Sequence, residues 1–323
     1  MLRLPFLPPS RRTLRRILGA LWLIDAILQA QPAFFGADWW RSDLAGSSMG
    51  EPAAIRHSIL WAVGIIAAHP ALWNSVFVAV QALLGLALLT GRGDRLAIVA
   101  SLPWALGVWS VGEGFGMLPT GFAMAAFGAP GPVLLYPLIG LLSWPRGDRR
   151  GISPVLGGAA WIGLWAAPSV LQLPLVFPVR QVLTANLHEM SDGLPGWEGA
   201  VAGWTSSVVL AHPAVSSAAL AAVQVAIGLA VCARRGRRAA IVAGVAVSGI
   251  YWVCFQGLGG ILGGGVVASG ATDPGAAPLM VLLALALWPY PDRVVPGLPA
   301  SGRSGSGRPV PVQLVSGGRL VAL

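Results

Sequence analysis

An aspartate, Asp25, lies inside the first apolar run of this chain, with Gln29 one turn further along the same helical face. An ionised carboxylate in the middle of a bilayer costs about 2.5–3.5 kcal/mol on insertion scales, so Asp25 must face a protein interior and be paired or protonated there. Gln81 falls near mid-depth of the next long apolar run, with Asn74 two turns before it, and a polar cluster between the two helices follows. Two chemistries fit these groups: proton or cation handling centred on Asp25, and interhelical hydrogen bonding by Gln81, Gln224 and their neighbours. Glu113 heads a Glu-Gly-Phe-Gly motif at the outer end of a later run, where it is available as a proton acceptor. His69 and His212 each stand immediately before a proline that suits the first position of a helix. They read either as caps or, with His57 and His188, as ligands to haem or copper or as donors to a quinone carbonyl. No two histidines have the spacing of a compact metal site, and none is expected.

The composition says which solvent these groups meet. Charged residues are 10% of the 323 and hydrophobic ones 55%, with a mean hydropathy of +0.73, which excludes a soluble domain with an ordinary charged surface. The net charge of +9 implies no nucleic-acid partner, because the basic residues sit in short segments between apolar runs. All 21 of them are arginine, a bias that fits a high-GC bacterial genome. Cys232 and Cys254 fall toward opposite ends of successive helices, so neither a disulfide nor a redox pair is expected. Walker loops, dinucleotide fingerprints, HExxH and nucleophile elbows are absent from the sequence.

Apolar runs at roughly 17–35, 71–90, 95–112, 130–144, 155–177, 213–232, 239–256 and 277–289 predict an all-α polytopic membrane protein of about eight transmembrane helices. The fourth and eighth runs are short; Pro130 and Pro278 are expected to open their helices, and a Trp-Pro pair to close each. Ala53–Ala68 holds a further apolar run, read as a re-entrant or interfacial helix. With the N-terminus inside, 18 arginines fall in cytoplasmic segments and only Arg41, Arg56 and Arg180 outside. That split predicts both termini in the cytoplasm and an even number of spans in the plasma (inner) membrane. Tryptophans such as Trp39, Trp40, Trp109, Trp144, Trp197, Trp252 and Trp288 fit interfacial anchors. Residues 294–323, rich in Gly, Ser, Pro and Arg, read as a disordered cytoplasmic tail.

An offset of 143 residues lays Trp22 on Trp165, Leu28-Gln29 on Leu171-Gln172, His69-Pro70 on His212-Pro213, Gln81 on Gln224, Arg92 on Arg235 and Trp109 on Trp252. It also lays Glu113-Gly114-Phe115-Gly116 on Gln256-Gly257-Leu258-Gly259; one residue later Pro130-Gly131 meets Pro274-Gly275 and Trp144-Pro145 meets Trp288-Pro289. The chain therefore reads as a basic start (1–16), two parallel four-helix repeats (17–150 and 151–293) and the tail. Asp25 meets Pro168 in this register, so a proton-handling site belongs to the first repeat.

The stretch from Ala79 to Arg92, with Gln81, Gly85 and the Thr90-Gly91-Arg92 turn, resembles the second helix and turn of DoxX-like membrane proteins, a family of four-helix units. Ala222 to Leu229 repeats it more loosely, and Gly19-Ala20-Leu21-Trp22 after a basic start fits the first helix. Many family members carry Glu in the second helix where this chain has Gln81 and Gln224. The family includes a DoxD-like membrane subunit of a thiosulfate:quinone oxidoreductase. The resemblance therefore implies a quinone-linked or oxidative-sulfur membrane component, with quinone or haem as cofactor and a redox or envelope protein as partner. On that reading Asp25 and Glu113 are the catalytic candidates, and His69, His212, Gln81 and Gln224 the cofactor-binding ones. A small-solute or proton-coupled transporter and a non-catalytic scaffold subunit are the alternatives.

Overall fold

The computed structural model describes residues 7–146, 150–172, 179–191, 194, 196–233, 235–262 and 270–289; residues 294–323, read above as a tail, lie outside them. Among the described residues the chain is helical, with no strand and one antiparallel bridge between Ser10 and Arg150. The first half holds α1 (Arg11–Gln29), α2 (Ala53–Ala68), α3 (Pro70–Thr90), α4 (Asp94–Gly107) and α5 (Leu135–Leu142). The second holds α6 (Pro154–Trp165), α7 (Val179–Ser191), α8 (Gly196–Ala211), α9 (Pro213–Ala230), α10 (Arg237–Cys254) and α11 (Ala276–Ala286). A π turn, Val108–Gly112, prolongs α4.

Among the described residues four helices are long and apolar enough to cross a membrane: α3, α4 with its π turn, α9 and α10. The other expected spans fall short of that test for local reasons. Four arginines occupy the first two turns of α1. Proline has no N–H for the helical ladder, and the run expected at 155–177 stops at Trp165 and resumes as a 3-10 turn at Pro168–Gln172. Pro130 lies ahead of its helix, which begins as a 3-10 turn at Pro132, and Pro278 is the third residue of α11 rather than its opener. The segment expected to be re-entrant or interfacial is the helix α2, and α8 stands at the same offset in the second half, where no helix was expected.

The long helices are inside-out by the standards of a soluble protein. On α3 the buried face is Asn74, Gln81, Leu84, Gly85 and Leu88, while Leu72, Leu83 and Leu86 are exposed. On α9 the buried face carries Ser217 and Gln224, and Val215 and Leu229 are exposed. Polar residues inside and leucines outside match a chain whose solvent is hydrocarbon, and this is a membrane protein.

Small residues set the tightest packing. A side chain at Gly19 would sit 2.7 Å from the Gly85 carbonyl, and one at Gly85 2.9 Å from that of Gly19, so α1 and α3 meet backbone to backbone. At the end of the bundle where α1 begins, Arg15 joins three helices: its Nε lies 2.6 Å from Asp94 Oδ2 at the start of α4, and its Nη1 donates to the Ser143 carbonyl after α5 at 2.7 Å. The Arg11 guanidinium donates to the Gly151 carbonyl nearby.

At the opposite end, two loops repeat one construction. Trp109 Nε1 donates to the Pro130 carbonyl at 2.6 Å and Trp252 Nε1 to the Pro274 carbonyl at 2.8 Å. Phe115 and Leu258 both take positive φ, 56° and 53°, beside Gly116 and Gly259, whose missing side chains admit Pro130 and Pro274.

A candidate ligand site in the first half

A cavity of about 350 Å³ lies among α1, α2, α3, α4, α5 and the Thr272–Asp273 segment ahead of α11. This is the size range of small-molecule sites. Its walls are aromatic: Trp40 packs on Phe77 with ring centroids 5.8 Å apart, and Phe77 on Trp104 at 5.6 Å, both edge-to-face. Trp40 is held by a 2.8 Å bond from its indole to the Phe34 carbonyl. Pro103 inside α4 removes a ladder bond, and the π turn follows within two turns, so the helix is distorted where it borders the cavity. There Pro103, Gly107 and Gly112 are exposed, and the cavity reaches the surface of the bundle between α2 and α4.

Asp25 and Tyr136 form the deep end. Asp25 is 2% exposed on α1, and Tyr136 Oη on α5 donates to its Oδ1 at 2.8 Å. The Tyr136 ring also packs on Trp22, centroids 4.3 Å apart. Gln29, a turn beyond Asp25, is tied up with Asn74: its Nε2 donates to Asn74 Oδ1 at 2.6 Å, and Asn74 Nδ2 returns a 3.0 Å bond to the Gln29 carbonyl. Gln81 also lines the cavity, 7% exposed, and its Oε1 has no partner. The indole N–H groups of Trp22 and Trp104 are likewise buried and unpaired. Buried polar atoms without partners are uncommon, and these three border the same empty volume.

Glu113 stands at the rim, just past the π turn. Val133 N donates to its Oε1 at 3.2 Å, while its buried Oε2 is unpaired. Burial, with the Asp273 carboxyl nearby, pushes Glu113 up to about 8, against the Val133 N–H that favours the ionised form. Among the described residues no basic side chain lines the cavity.

Asp25, Glu113 and Gln81 are therefore brought together, and the other three candidates are not. His69 and His212 are exposed and outside the cavity. Neither caps through its side chain; each ends the preceding helix, and its carbonyl accepts the first bond of the next, from Trp73 and Ser216. His57 and His188 are exposed as well, and no cluster of three or more His, Cys, Asp or Glu side chains suited to a metal exists among the described residues. Haem or copper ligation finds no support in that arrangement. Gln224 is fully buried outside the first-half cavity, with its amide bonded to Gln172 and to the Tyr251 hydroxyl.

The corresponding place in the second half is filled. A space of about 30 Å³ remains near Trp165 and Tyr251. Tyr251 stands where the first half has Val108, and Pro168, Val182, Leu183, Leu220 and Val247 stand in place of Asp25, Trp39, Trp40, Phe77 and Trp104. The residues that sequence reasoning missed, the aromatic wall and Asp273, thus carry a partial signal: the wall and Pro103 are what the first half has and the second lacks at the same offset. Asp273 has no such signal, because it reaches the first-half cavity from the far end of the chain.

No known protein family, no curated protein and no solved structure matches this chain.

Proposed function

We propose that this chain is a membrane component that binds a small lipophilic ring compound of the quinone/quinol class in the first-half cavity, as part of proton-coupled redox chemistry. The observation that carries this reading is the cavity itself. Its aromatic walls suit a flat ring, its unpaired indole N–H groups and Gln81 carbonyl suit ring oxygens, and Asp25 with Tyr136 suits proton exchange at the deep end. A mouth between α2 and α4 on a hydrocarbon-facing bundle gives a lipid-soluble ligand a lateral way in.

Within this reading the chain has eight spans as two parallel four-helix copies, both termini lie in the cytoplasm, and the protein is DoxX-like. The matched Trp109–Pro130 and Trp252–Pro274 bonds support the duplication, and the Arg15, Arg11 and Gly151 contacts at one end support a shared basic face. The first copy keeps the ligand site and the second serves as its scaffold.

The test is solvent extraction of the detergent-purified protein, with quinones quantified against protein, alongside oxidised and dithionite-reduced absorption spectra. Stoichiometric quinone that falls several-fold in Gln81→Leu or Trp104→Leu supports the assignment. Quinone-free protein that also fails to bind an added short-chain ring in either its quinone or its quinol form overturns it. The carboxylate-rich, cation-free lining would then favour a proton- or cation-coupled transporter, tested by flux in Asp25→Asn.

A further inference from the structure

Asp273 belongs by sequence to the loop before the last helix, 248 positions after Asp25, yet it lines the first-half cavity. The segment that carries it is fixed at both sides. Gln31 Nε2 donates to the Ala271 carbonyl at 3.1 Å, and Gly275 N donates to Asp273 Oδ1 at 2.7 Å. Asp273 keeps part of its surface open, and its charge acts on Asp25, Glu113 and Tyr136, the titratable groups that face it from α1, from the end of the π turn and from α5. Among the described residues the ion pair Arg15–Asp94 lies at the other end of the bundle, so no cation offsets this group of carboxyls.

Acceptors therefore outnumber donors around the empty volume. The carboxyls of Asp25 and Asp273 already accept from Tyr136 and Gly275 but bring further lone pairs when ionised. Gln81 Oε1 is buried and unpaired, and Glu113 Oε2, also buried and unpaired, joins the acceptors as Glu113 ionises at about pH 8, against two unpaired indole N–H groups. An unmet acceptor in a dry site rejects a ligand oxygen that has only lone pairs and holds one that brings a hydrogen. A quinone offers lone pairs; its reduced form offers two O–H donors.

We propose that the cavity is selective for the quinol over the quinone, and that Asp273, supplied by the second half of the chain, is the residue that sets this preference. The inference rests on the quinone-class reading above. A hydrogen bond to a carboxylate is enough for a preference of about tenfold or more. For a two-electron couple, tenfold tighter quinol binding raises the midpoint potential of the bound ring by about 30 mV.

The test uses the full chain in nanodiscs and measures the affinities of decylubiquinol, kept reduced under anaerobic conditions, and of decylubiquinone, by quenching of tryptophan fluorescence. The quinol is expected to bind at least about tenfold more tightly. Asp273→Asn keeps the oxygen that accepts from Gly275 but replaces the other with an N–H donor, so the ratio should fall to near one or invert. Asp38→Asn, an exposed acid outside the cavity, should leave it unchanged. Should Asp273→Asn fail to fold, the wild-type protein still decides: ionised carboxyls accept without donating, so the preference must grow between pH 5.5 and 8.5. Equal affinities, a ratio untouched by Asp273→Asn, or a ratio flat with pH overturns the inference while leaving the quinone-class site standing. Binding of neither ring overturns both.

Discussion

Tyr136 Oη and Asp25 Oδ1 are 2.8 Å apart, and this bond joins the first and fifth helices at the deep end of the cavity. Removing the hydroxyl with Tyr136→Phe takes away the donor that holds this buried carboxyl, at a cost of about 1–2 kcal/mol given how hydrogen bonds between membrane helices measure. Asp25→Asn keeps an oxygen to accept from Tyr136, and its stability should stay near wild type. Thermal unfolding of both variants in one detergent checks this. Equal losses in the two would mean that the bond does not organise the site.

Glu113 supplies a pH dependence with a definite sign. Its carboxyl titrates near 8 in the folded protein, above its ordinary value of 4.5, because burial and Asp273 favour the neutral form. The folded state therefore binds its proton more tightly than the unfolded state does. The stabilisation is fully present below pH 4.5 and is lost as pH rises through about 8. Unfolding midpoints recorded from pH 5 to 9 should fall across that window and flatten in Glu113→Gln. A midpoint rising with pH in wild type would contradict the environment assigned to Glu113.

Much of this arrangement was legible in residue order, and the parts that were not have physical reasons. Asp25, Gln81 and Glu113 announce themselves because a polar group in an apolar run needs a partner, and the cavity gathers all three. His69 and His212 misled because the residue type suggests ligation, while their place at a break between two helices uses only their backbone. The arginine-rich start of α1 and the break at Pro168 are among the reasons that, among the described residues, four helices meet the length and apolarity expected of a span where eight runs were expected. Asp273 was out of reach, since nothing local records which half of a bundle a loop will visit.

The contact of α1 with α3 makes a glycine prediction with an internal control. Gly85→Ala places a methyl group 2.8–2.9 Å from Leu23 and from the Gly19 carbonyl, so the helices must separate, at about 1–3 kcal/mol. Gly64→Ala on α2 meets nothing within 4 Å and should be neutral or stabilise by up to about 1 kcal/mol, since alanine is the better helix former. The comparison is made by unfolding both variants and by their yield as monodisperse protein. If Gly85→Ala proved as stable as Gly64→Ala, the two helices would not be in backbone contact.

The bond between Arg15 and Asp94 gives the last prediction, at the end of the molecule away from the cavity. The side chains are 8% and 11% exposed, so this pair is not a solvated surface bridge. Arg15 also donates to the Ser143 carbonyl, while Asp94 Oδ1, the oxygen that Arg15 does not reach, is buried without a partner. Arg15→Ala strands a largely buried carboxylate and one backbone acceptor, and should cost about 3–5 kcal/mol. Replacing both residues with apolar ones, Arg15→Met with Asp94→Leu, removes the stranded charge and should recover most of that loss, leaving the Ser143 carbonyl as the residual penalty. Because the pair is shielded, the wild-type advantage should persist between 0.05 and 0.5 M salt, where an exposed pair would be screened. Unfolding of wild type, single and double variants at both salt concentrations decides it. A single-variant loss below about 1 kcal/mol that vanishes at high salt is the signature of an ordinary surface bridge, and would mean that Arg15 does not hold the starts of α1 and α4 against the end of α5.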